Sequence, residues 1–215
     1  MYPINDLQGI RNQEAQLEGN HVVILMLVKP SDTGADEYIK KFNYLHYRSK
    51  QYCSIYLLGY SQDFYGKYKD ITTVKGIDNQ EWQYSDECFS EVCDELQSRL
   101  SNWQYSGEPE MIILQNSSAS ASNRYLNFTN YNYIDINYGI KKNYIDSFPR
   151  FMERLINACK KEVTAVRAVR AANIKRISPR RVIEYTIEKS PHLPGTIKEV
   201  LNDRLFYKSA QCKAA

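Results

Sequence analysis

Three short polar loops, each following an apolar run, hold the residues of this chain best suited to receive a ligand: Lys29 to Gly34, Gly59 to Asp63, and Gln115 to Ser118. Ser31, Thr33, Gly34, Gly59, Tyr60, Ser61, Asn116 and Ser117 offer hydroxyls, an amide and backbone N–H groups. Such a set suits a phosphate or a ribose, so the loops point to a nucleotide-like or phosphorylated small molecule. Asp32, Asp63 and Asp70 are the candidate acids or bases for hydrolysis or transfer at a nucleoside or sugar. Asp63 and Asp70 flank Tyr65 and Tyr68, which together would make an acidic and aromatic pocket.

Several chemistries lack their motifs. The chain holds no GxxxxGK[ST] loop and no GxGxxG fingerprint, which speaks against a P-loop ATPase and a dinucleotide oxidoreductase. Ser61 follows Gly59-Tyr60 without the second glycine of a GxSxG elbow, and no Cys is paired with a His. His21, His46 and His192 are far apart, and His46 falls on an apolar stripe, where a core histidine is expected. Cys88 and Cys93 are five residues apart in a helical pattern, about 140° around the axis, too far round to share a metal. No cofactor is expected. With Cys53, Cys159 and Cys212 the cysteines number five at irregular spacing, the usage of reduced thiols.

A second kind of chemistry lies in the charge pattern. The formal net charge is only +3, but residues 139–181 carry twelve basic side chains against three acidic ones, leaving a net −6 elsewhere. Arg167, Arg170, Lys175, Arg176, Arg180 and Arg181 form the densest part. They could meet an acidic protein surface or neutralise phosphates of a nucleic acid. That gives the alternative function: a non-enzymatic subunit of a larger complex, using its basic carboxyl-terminal helix as an assembly or partner surface.

The elements that must position these groups are read from periodicity. Residues 21–29 and 52–60 are continuous branched and apolar runs, the pattern of strands buried on both faces, and the segment between them, 35–50, has helical spacing. A short strand is expected at 71–75, a helix from a Ser85 or Asp86 cap to Trp103, and a third core strand at 110–115. Residues 125–138 alternate like an edge strand or hairpin with one wet face, and a long helix follows from a Ser147 cap through Val166. A strand at 182–189 and a helix opening on the box Thr196 to Glu199 complete the pattern.

Alternating strands and helices predict an α/β fold, a three-layer arrangement with a mainly parallel sheet of Rossmann or flavodoxin type and basic carboxyl-terminal helices. The organisation read from the chain is a polar arm at 1–20, an α/β core at 21–146 and a helical extension at 147–215 packed on it. A length of 215 residues with 43% hydrophobic and 25% charged content suits one packed core. The longest apolar run, Val22 to Val28, is too short to cross a membrane, and the amino terminus has no secretory pattern, so the expected location is the cytoplasm.

Overall fold

A computed structural model of the chain describes residues 1–17, 22–49, 52–100, 103–118, 124–161, 164–172 and 207–211. The centre is β2 (Val22–Leu27), buried along its whole length, as the apolar run requires. On one side lies β3 (Cys53–Leu58), parallel to it and equally buried, and outside that β1 (Tyr2–Ile4), also parallel. Pro3 is tolerated there because β1 is the edge strand. Between β2 and β3 the chain forms α2 (Ala35–Lys40) and α3 (Phe42–Ser49), so the expected single helix is broken at Lys41.

On the other side of β2 the direction reverses. β7 (Glu110–Ser118) pairs antiparallel with β2, from Leu27 opposite Glu110 to Val22 opposite Gln115. β8 (Arg124–Asp135) returns antiparallel beside it, and β9 (Tyr207–Gln211) pairs antiparallel with β8. The six-stranded sheet, ordered β1-β3-β2-β7-β8-β9, is therefore mixed and mostly antiparallel, and a mainly parallel Rossmann or flavodoxin sheet is not what the chain builds. The reason lies in the segment between β3 and β7. After β3 the chain makes a small antiparallel sheet of β4 (Tyr60–Ser61), β5 (Ile71–Lys75) and β6 (Glu81–Ser85), then α4 (Asp86–Arg99). Residues 103–109 then double back along α4: the Tyr105 amide donates to Gln97 Oε1 and its ring meets that of Phe89 near the start of the helix. The next strand thus starts from the edge at which β2 and β3 end.

Helices cover both faces. Tyr56 points to α1 (Leu7–Ala15), where its hydroxyl donates to the buried Glu14 carboxylate at 2.6 Å; Asn116 donates to the other oxygen at 2.8 Å. Cys53, Ile55 and Leu57 alternate to the opposite face, which is covered by α3, α6 (Phe148–Cys159) and α7 (Ala165–Ala171). Residues 2–15, read from the sequence as an arm, therefore supply an edge strand and a covering helix. The stripe Phe148, Phe151, Met152, Leu155, Ile156 and Cys159 is buried as its spacing predicts, with the expected long helix divided into α6 and α7. α5 (Ile136–Lys141) replaces the end of the alternating segment, capped by Asp135. The expected strand at 182–189 and the helix opening at Thr196 lie outside the described residues.

The turn after β3 depends on Gly59, whose φ of +81° is left-handed and whose Cα lies so close to α4 that an added Cβ would sit 2.7 Å from Phe89 Cβ. Gly59→Ala is expected to cost about 2–4 kcal/mol, from a strained dihedral plus overpacking. Urea unfolding with unchanged slope checks this; a loss below half a kcal/mol would mean that the turn and α4 are not in contact.

Candidate functional site

Because β7 is reversed and β8 turns back beside it, one edge of the sheet gathers the end of β2, the end of β3, the start of α4, the approach to β7 and the end of β8. Each contributes polar side chains. After β2, Lys29 begins a tight turn closed by Asp32: the Lys29 amide donates to Asp32 Oδ2 at 2.6 Å, and the Ala35 amide to the Asp32 carbonyl. Gly34, at φ +84°, leads into α2. Ser31, Thr33 and Gly34 are exposed on this turn. After β3, Gly59 and Tyr60 are buried, and the Tyr60 hydroxyl donates to the Val28 carbonyl at 2.8 Å, tying the two strand ends together.

At the start of α4, Ser85 caps the helix as its position predicts, accepting from the Cys88 amide. Asp86, in the first turn, lies 3.2 Å from the Lys29 ammonium and accepts from the Tyr84 hydroxyl at 2.9 Å. The Lys29 ammonium also sits over the Phe89 ring, 5.0 Å from its centroid. Ahead of β7, Glu108 accepts from Asn137 at 2.8 Å, and Asn137 accepts from Tyr38 at 2.9 Å. At the end of β8, Asp135 accepts from the Tyr138 amide. The Tyr105 hydroxyl is buried with no hydrogen-bond partner among the described residues.

The electrostatics of this edge are those of crowded acids. Burial is the main cause that raises the Asp32 pKa above its ordinary value; the turn hydrogen bond and Lys29 oppose it, while Glu108 and Asp86 add to it. Asp135 is raised in the same way, by burial first and then by Glu108. Tyr38 is pushed up to about 12, chiefly by burial and then by Glu37, Asp32 and the other carboxylates. The carboxylates do not form a metal centre: among the described residues no three or more His, Cys, Asp or Glu side chains are arranged to hold an ion.

The remaining residues singled out from the sequence have other positions. Asp70 serves the cap of α4, its two oxygens accepting from the Ser85 hydroxyl at 2.7 Å and the Glu87 amide at 3.0 Å, and these bonds hold its pKa below the ordinary value. Asp63 makes an exposed turn in which its side chain accepts from the Tyr65 amide and its carbonyl from the Ser61 hydroxyl. Tyr68 bonds Glu91 beside Lys67, whereas Tyr65 projects into solvent, so the two tyrosines do not close a pocket with the aspartates. Asn116 and Ser117 leave the group: antiparallel β7 carries them to the opposite edge, where Asn116 is buried against Glu14. Arg167 is exposed on α7, which also carries Arg170; Lys175, Arg176, Arg180 and Arg181 lie outside the described residues.

Lys29, Tyr38, Asp86, Phe89, Tyr105, Glu108, Asp135 and Asn137 were not singled out by sequence reasoning. Asp135 and Asp86 carried a signal, since both stand at helix starts, and a strand pairing that reversed β7 would have brought Glu108 toward Asp32.

An acid whose folded pKa is raised destabilises the fold as pH climbs through the range between its unfolded and folded values. Asp32→Asn is therefore expected to raise the melting temperature at pH 7, with the advantage disappearing below the ordinary carboxylate range, where Asp32 is neutral in both states. Melting curves across pH check this; a variant less stable than the parent at pH 7 would mean that the Asp32 carboxylate is favourably solvated. Comparison of the chain with known protein families, with curated proteins and with solved structures finds no match.

Proposed function

We propose that this is a cytoplasmic protein that binds a nucleotide-like or phosphorylated small molecule at the edge where β2 and β3 end. The observation that carries the reading is the convergence of five chain segments on Lys29 and Asp32, with tyrosine and phenylalanine rings beside acceptors and a cation. Carboxylates and the Asn137 amide suit the hydroxyls and exocyclic amines of a nucleoside, and the half-buried Tyr105 ring, backed by Phe89, suits a base. The exposed Ser31, Thr33 and Gly34 of the adjoining turn suit a phosphate, with Lys29 as its counter-charge. Among the described residues no helix is long and apolar enough to cross a membrane, and nothing in the reading calls for a membrane.

A catalytic version of the reading assigns the proton transfer to Asp32. Asp63 closes a turn and Asp70 a helix cap, whereas Asp32 keeps its proton to higher pH than an ordinary aspartate, which suits a general acid in hydrolysis or transfer at a nucleoside or sugar. The alternative, a subunit contacting protein or nucleic acid through residues 150–181, draws on Arg167, exposed on the outer side of α7, whose inner side buries Ala165, Ala168 and Val169.

Thermal melting against nucleotides, sugar phosphates, short DNA and short RNA at two salt concentrations separates the two. Binding at a hundredfold excess over Kd adds about 2.7 kcal/mol, a rise of about 5–10 °C for a chain of this size. The expected result is a salt-tolerant rise with one small molecule that Asp32→Ala reduces. A salt-sensitive rise with polynucleotide alone, reduced by Arg167→Ala, would transfer the function to the basic segment.

A further inference from the structure

Away from that edge, two thiols face each other across the sheet and its helix layer. Cys53 opens β3 on the face that α3 and α6 cover, and Cys159 closes the buried stripe of α6 at its last residue. Both are free thiols and both are buried, and the two lie close enough that Cys159 is the largest single influence on the Cys53 thiol. The neighbouring residues repeat the contact, with the Lys160 ammonium 4.9 Å from the centroid of the Tyr52 ring, so the end of α6 and the start of β3 are apposed over two consecutive positions. Cys88 and Cys93 are arranged otherwise: they lie on one helix, and Cys88 donates to the Asn5 carbonyl.

We propose that Cys53 and Cys159 are a redox pair that closes into a disulfide on exposure to a peroxide, covalently linking β3 to α6. Both stand at the ends of their elements, where the backbone can adjust to the bond more readily than in mid-helix or mid-strand. Cys159, 8% exposed against 2% for Cys53, is the thiol that the oxidant reaches first. Its sulfur attacks one peroxide oxygen, giving a sulfenic acid and releasing water; the Cys53 sulfur then displaces the hydroxyl as a second water while the S–S bond forms. Two thiols are oxidised by two electrons in all, and hydrogen peroxide is reduced to two waters. The neighbouring Cys159 thiol, and then burial, hold the Cys53 pKa well above its ordinary value, so Cys53 is the resolving partner and not the primary target.

The test is thiol mapping of the full chain after hydrogen peroxide under native conditions, with alkylation of residual thiols, proteolysis and mass spectrometry. The expected product is a peptide joining Cys53 to Cys159, released by dithiothreitol, with a melting temperature raised by about 5 °C or more, because the link spans more than a hundred residues of chain. Cys159→Ser should lose both effects and Cys88→Ser should keep both. Recovery of Cys53 as a free thiol from oxidised, folded protein, whatever the state of Cys159, would overturn the proposal, and this readout on the parent chain stands even if a variant does not fold.

Discussion

β7 enters the sheet at the edge where β2 and β3 leave it, and the rest of the molecule is arranged around that reversal. In a parallel sheet the approach to the next strand would lie at the far edge. Here the return segment along α4 brings Glu108 close to Asp32, and the hairpin to β8 brings Asp135 and Asn137 to the same place. The same reversal sends Asn116 to the opposite edge, where it completes a buried polar tie with Glu14 and Tyr56. One edge thus collects exposed and half-buried polar groups, while the other is closed by hydrogen bonds that hold α1 on the sheet.

Stability and function are placed in different parts of this fold. The buried strands β2, β3 and β7, with the stripe of α6, supply apolar burial of about 1.5–3 kcal/mol for each large side chain. The ion pair of Lys29 with Asp86 is too exposed to matter on that scale, at about 0–1 kcal/mol. Asp32 and Asp135 act against the fold, since burial makes their charged forms unfavourable. Half-buried acids that destabilise the folded state, beside rings and a lysine, are the features that distinguish this edge from an ordinary set of loops.

Much of the secondary structure was legible in the sequence. Two-sided burial leaves long apolar runs, and β2, β3 and the core of β7 were readable for that reason; a cap at Ser85 or Asp86 marked the start of α4. Strand direction was not, because a run such as Met111 to Leu114 is equally apolar whichever way it pairs. The polar segment ahead of Glu110 gives no sign that it doubles back, and β6 hides within an aromatic and polar stretch whose buried Trp82 and Tyr84 are set off only by the exposed Glu81 and the half-buried Gln83. Half of the candidate site followed from the loops after β2 and β3. The other half needed the pairing of β7, and Asp63 and Asp70 resembled site carboxylates because the residues that make turns and caps are also those that do acid chemistry.

The central claim is that the edge beyond β2 and β3 is a desolvated, acid-crowded site, and it is tested most directly by following individual side-chain carboxyl carbons by nuclear magnetic resonance as a function of pH in the unliganded chain. The account predicts that Asp32 and Asp135 titrate above the ordinary aspartate value while Asp70 titrates below it. Asp32 and Asp135 titrating at or below the ordinary value would contradict it, because the edge would then be open, well-solvated loop.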